Sequence, residues 1–91
     1  MPYPNEHAAR QTSPGAWDTY SRLHPEGWPE GIDLIRGCRR EDGDTVCGVQ
    51  SIRIDSSRFT VAEANRWLSR MGFRLVNEPA VDTEDDDTDE V

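Results

Sequence analysis

A chain of 91 residues, about a third of them apolar, holds one small domain whose thin core depends on a few large side chains. The net charge of −8 belongs to one end: seven of the eighteen acids lie in residues 82–91, leaving residues 1–81 with eleven acids against ten arginines. A near-neutral body disfavours direct binding of DNA or RNA, and no apolar run reaches the length of a membrane span.

All ten basic residues are arginine and none is lysine. Arginine suits bidentate contacts with carboxylate or phosphate, although GC-rich codon usage produces the same skew. The opening residues lack the basic region and apolar core of a signal peptide. A reducing compartment is therefore expected, and the default expectation for the two cysteines there is free thiols.

Residues 1–30 carry five of the six prolines, which excludes a long helix and predicts an irregular arm packing on the rest of the domain. Short helical turns are expected at residues 6–11 and 16–23; in the second, Trp17 and Tyr20 share a face. Tyr3, Trp17, Tyr20, Leu23 and Trp28 are the arm's apolar side chains. They either cover the domain or anchor a partner.

Residues 31–79 form the expected core. Residues 31–40 read as a strand, Asp42-Gly43 as the centre of a type I′ turn, and residues 45–54 as the returning strand. A two-residue loop places Cys38 opposite Cys47 at a non-hydrogen-bonded pair, close enough for a disulfide. Two small apolar side chains sharing a face is the alternative. The simple register puts Ile32 and Leu34 on one face but Ile52 and Ile54 on the other. One extra residue restores Leu34 opposite Ile52 and Ile32 opposite Ile54, and Gly37 or Gly48 is the expected neighbourhood of that bulge.

Thr60 and Glu63 have capping-box spacing, Phe59 and Ala64 make a small hydrophobic staple, and Gly72 supplies the left-handed stop. Between them Ala64, Trp67, Leu68 and Met71 form an apolar stripe, expected to cover Ile32, Leu34, Ile52 and Ile54. Phe73 is placed to fold back on Leu68, and residues 73–77 alternate enough for a short third strand before Pro79. The expected fold is thus α+β: a small antiparallel or mixed sheet, made of the hairpin and a short third strand, covered by one helix. Residues 80–91 are expected to be an acidic, disordered tail.

No set of residues with catalytic spacing stands out. His7 and His24 lie in the arm without ligand-like spacing, so neither a metal, a cofactor nor an enzymatic activity is expected. The candidates for partner binding are Tyr3, Trp17, Tyr20 and Trp28, the strand arginines Arg36, Arg39 and Arg40, and the tail acids Asp85, Asp86 and Asp87. Arg66, Arg70 and Arg74 run along or just past the helix as a solvated face. The tail acids either mimic a phosphate backbone or serve solubility.

Several stretches together resemble a small module of tailed bacteriophages and prophages: residues 1–10, Gly31-Ile32-Asp33 with Gly37, Gln50-Ser51-Ile52-Arg53, and Phe59-Thr60 through Glu63-Ala64 to Trp67-Leu68. That module stands at the front of, or is encoded beside, prohead (head-maturation) protease and capsid-assembly proteins. The resemblance runs from residue 1 to about residue 73. No protease domain accompanies it here, so it brings no catalytic residues. It implies a phage-encoded, non-enzymatic protein-binding module in head assembly or maturation, located in the cytoplasm of an infected or lysogenic bacterium or in the virion, with a phage or host protein as partner. The alternative is a small inhibitor of a host defence or nucleic-acid machine, comparable to an anti-CRISPR protein, using the acidic tail as a phosphate mimic. An antitoxin-like or transcription-associated partner is a third class.

Overall fold

The structure, a computed structural model, describes residues 5–80. Its centre is the hairpin of β3 (Ile32–Glu41) and β4 (Asp44–Asp55), closed by Asp42 and Gly43, both with positive φ (53° and 85°), as a type I′ turn requires. Cys38 faces Cys47, Leu34 faces Ile52 and Ile32 faces Ile54. The register shift that makes this so lies between Ile35 and Arg36, where Ile35 pairs with Ser51 and Arg36 with Val49, so Gln50 is the extra residue.

The bulge sits at Gln50, beside the glycines rather than on them, for two physical reasons. The Gln50 carbonyl accepts hydrogen bonds from the Gln11 and Thr12 amides (2.8 and 3.2 Å), and its side chain donates to the Thr12 carbonyl at 3.2 Å. The bulge therefore latches the segment that crosses the sheet. Gly37 and Gly48 meet a different need. A β-carbon on either would collide with the Trp17 indole, which lies flat across them.

The arm differs from the expected irregular chain. It supplies both outer strands, β1 (Glu6–Arg10) against β4 and β2 (Thr19–Leu23) against β3, giving a four-stranded antiparallel sheet in the order β1-β4-β3-β2. The helical turns expected at residues 6–11 and 16–23 are absent. Local helix propensity is a weak prior, and each segment gains a ladder of five residue pairs instead. Between β1 and β2 a 3₁₀ turn, Pro14–Ala16, carries the chain from one edge of the sheet to the other.

The helix α1 (Val61–Met71) forms as its caps dictate. Thr60 Oγ1 accepts from the Glu63 amide at 3.1 Å, Glu63 Oε1 accepts from the Thr60 amide at 2.9 Å, and Gly72 ends the helix at φ 84°. Ala64, Trp67 and Leu68 close over Ile32, Ile52, Ile54 and Ala9. Burial of each of these isoleucine side chains contributes about 1.5–3 kcal/mol before entropy is set against it. Leu34 packs at the margin of this core. Met71, expected in the stripe, is 47% exposed. At that end the rings of Trp28 and Phe73 meet Trp67, with centroids 4.9 and 6.2 Å away.

The third strand expected at residues 73–77 is not formed. Its amides are satisfied by other groups: Phe73 N–H donates to the Leu68 carbonyl, Arg74 N–H to Gln11 Oε1 and Val76 N–H to Asn65 Oδ1. Pairing begins later, as a single bridge between Ala8 and Glu78 on the outer side of β1. The Asn77 side chain extends it by accepting from the Arg10 amide and donating to the Arg10 carbonyl. His7 is buried beside this seam. Its Nδ1 accepts from the Ala80 amide at 2.9 Å, so Nε2 carries the proton donated to the Phe59 carbonyl at 3.0 Å.

Cys38 and Cys47 are joined in a disulfide, with Cα atoms 4.1 Å apart. The default of free thiols is overturned by the hairpin register, which holds the two side chains at the closest kind of cross-strand pair. No helix among the described residues is long and apolar enough to cross a membrane.

Candidate partner-binding face

Strand side chains alternate between the two faces of a sheet. The face opposite α1 therefore carries Glu6, Ala8 and Arg10 of β1, Ser51 and Arg53 of β4, Asp33 and Ile35 of β3, and Tyr20 and Arg22 of β2. Residues 11–18 cross the far end of this face and leave the near end open. A concavity of about 440 Å³ results, floored by Ile35 and Ser51 and walled by Arg10, Arg22, Arg53 and Tyr20.

Arg22 is the hub of the wall. Its Nε donates to Asp33 Oδ2 at 2.9 Å, and its two terminal nitrogens engage the Glu6 carboxylate. Glu6 is also 3.6 Å from Arg53 Nη1, and Arg53 Nε donates to Ser51 Oγ at 3.3 Å. Arg10 pairs with Glu78 at 2.6 Å, and His24 Nδ1 lies 2.9 Å from Asp33 Oδ1. These side chains come from all four strands and from His24 and Glu78 beside them, so the network ties the strands together around the concavity.

The electrostatics follow from the pairing. Hydrogen bonding to Glu6 raises the Arg22 pKa further above the range in which it could lose its proton. Burial pushes the Asp33 carboxyl up, but hydrogen bonds from Arg22 and His24 outweigh it and hold the pKa below the usual value. His24 is raised, chiefly by its hydrogen bond to Asp33. The network is rich in charge yet nearly balanced, which fits selective contact with a polar protein surface better than bulk attraction of a polyanion.

The candidates read from the sequence are dispersed. Tyr20 is 47% exposed on the wall of the concavity. Trp17 covers Gly37 and Gly48 at the crossing, with its Nε1 donating to Thr12 Oγ1 at 2.9 Å and the Arg39 guanidinium 5.0 Å from its ring centroid. Trp28 packs edge-on against Trp67 and belongs to the core. Arg36 and Arg40 are exposed on the opposite face from Arg39, flanking Cys38. Tyr3, Asp85, Asp86 and Asp87 lie outside the described residues. Arg10, Arg22 and Arg53, which wall the concavity, did not stand out in the sequence. The alternation of Tyr20 with Arg22 is the one local signal that points to them, and it is informative only once residues 19–23 are known to be a strand.

Among the described residues no group of three or more His, Cys, Asp or Glu side chains gathers as a metal site. Comparison with protein-family models, with curated proteins and with solved structures found no match to this chain.

Proposed function

We propose that this chain is a non-enzymatic protein-binding module that docks through the helix-free face of its sheet. The observation that carries the reading is the concavity itself. An exposed tyrosine and three arginines, each held by a neighbouring carboxylate, surround an apolar floor at Ile35. Aromatic and arginine side chains fixed in place before contact are the usual energetic centres of protein interfaces, because little rotamer freedom is lost on binding. The sequence resemblance to modules that accompany prohead proteases favours a phage-encoded role in head assembly or maturation, with another phage protein as the partner.

The test is affinity capture from infected cells with wild type, Tyr20→Ala and Arg22→Ala, combined with deletion of the gene. The expected result is recovery of prohead or virion proteins by wild type, their loss with both variants, and defective heads on deletion. Normal heads, with infectivity lost only in hosts that carry a defence system, would instead establish the inhibitor role. Removing residues 82–91 then separates a tail-borne phosphate mimic from docking through the sheet.

A further inference from the structure

β2 is an outermost strand of the sheet, and every residue along it is exposed. The hairpin decides which of its backbone groups face outward. Cys38 and Cys47 have Cα atoms 4.1 Å apart, the close spacing of a non-hydrogen-bonded pair. The amides and carbonyls of Leu34, Arg36, Cys38 and Arg40 therefore turn away from β4 and toward β2. Two bonds agree with this: the Cys38 carbonyl accepts from the Asp18 amide at 2.8 Å, and the Arg40 amide donates to Asp18 Oδ2 at 3.3 Å. Thr19, Ser21 and Leu23, which face Cys38, Arg36 and Leu34, thus commit their backbone groups to β3. The amides and carbonyls of Tyr20 and Arg22 point outward, and no described residue bonds them.

We infer that β2 pairs antiparallel with β2 of a second copy of this chain, about a two-fold axis at Ser21. In that register Tyr20 of each copy faces Arg22 of the other as a hydrogen-bonded pair. All the outward groups of Tyr20 and Arg22 are then satisfied. The neighbouring registers fail. An axis at Tyr20 calls on the Asp18 amide, which is already bonded to the Cys38 carbonyl. An axis at Arg22 sets two guanidinium side chains directly opposite each other, and like charges in that position are destabilising.

The side chains suit the same axis. Tyr20 and Arg22 stand on the face opposite α1, whereas Thr19, Ser21 and Leu23 stand on the α1 side. The charge of Arg22 is already met by Glu6 and Asp33, so the axis gathers no repulsion. Its planar guanidinium can take the exposed Tyr20 ring of the other copy against its face. On the α1 side Ser21 meets Ser21, and the half-open Leu23 meets Thr19. The two concavities then lie side by side on one continuous sheet. The pairing holds whether or not the concavity docks a partner.

The experiment is sedimentation equilibrium of the full chain over a wide concentration range, with amide hydrogen exchange read at both ends of it. The expected mass doubles as concentration rises. The Tyr20 and Arg22 amides gain protection in step, and the Ser21 amide, turned toward β3, does not change. Because both native cysteines are joined, Ser21→Cys adds the single free thiol of the chain. Mild oxidation should link two copies through position 21 faster than through position 69 in Ser69→Cys, on the exposed side of α1. The mass of one chain at every concentration overturns the proposal and leaves the edge to a strand of another protein. A dimer whose Tyr20 and Arg22 amides exchange as in the single chain overturns it too, as does equal linking at the two positions.

Discussion

A β-carbon on Gly37 would overlap the indole of Trp17. Nineteen residues of chain separate the two, yet their fit decides how the crossing segment lies on the hairpin. Replacing Gly37 with alanine forces the ring away and costs about 1–3 kcal/mol, the usual penalty for overpacking. The same substitution in a Trp17→Ala background costs much less. Urea unfolding of the four proteins in this cycle measures the difference, and additive effects would show that the ring does not rest there.

The bridge between Cys38 and Cys47 closes a short loop, with a sequence separation of 9. Chain-entropy arguments give about 2–3 kcal/mol for a loop of that size. The type I′ turn already favours closure, so the effect of Cys38→Ser with Cys47→Ser is expected at or below the lower end. Thermal unfolding of wild type with and without reductant, beside the double variant, checks this. The reduced wild type and the double variant should melt together.

Thr60 is the purest test of local encoding, because its side chain serves only to start α1. Thr60→Ala removes the bond to the Glu63 amide and lowers stability by about 1 kcal/mol, whereas Thr60→Ser retains most of it. Equal denaturation midpoints for the two variants would show that the cap contributes nothing.

The pair of His24 and Asp33 gives a pH dependence of known sign. The folded-state pKa of His24 is raised above its ordinary value of 6.5, chiefly by the hydrogen bond to Asp33. Protonation therefore favours the folded state: the contribution is full below 6.5 and is lost as pH rises through the folded pKa. Titration of the imidazole resonances by NMR should place His24 above the unfolded value, and Asp33→Asn should bring it back. An unchanged titration in that variant would remove Asp33 as the cause.

Arg22→Ala separates structure from contact. The side chain is 46% exposed, so its loss should cost no more than about 1 kcal/mol of stability. Partner capture should nevertheless disappear, since the arginine organises Glu6 and Asp33 around the concavity. Retention of capture by a folded Arg22→Ala protein would move the contact surface elsewhere.

Elements whose signals are local could be read from the sequence. The Asp42-Gly43 turn, the pairing of Leu34 with Ile52 across a bulge, and the caps at Thr60 and Gly72 each depend on residues close in the chain or on a simple count of faces. The outer strands could not be read this way. Glu6–Arg10 carries little strand propensity of its own, Thr19–Leu23 only that of Thr19 and Tyr20, and both become strands because β4 and β3 offer unpaired edges. Residues 73–77 alternate like a strand, yet Gln11 and Asn65 side chains take their amides first. Most of the candidate face was hidden for the same reason, because Arg10, Arg22 and Arg53 converge only when both outer strands are in register.

The seam between Ala8 and Glu78 also limits assembly. With the outer side of β1 occupied, β2 alone presents an open sheet edge among the described residues. Two such chains joined edge to edge would each lose that edge, leaving no template for a third. The fold thus permits a closed pair and blocks the endless ribbon that a sheet open on both sides can seed.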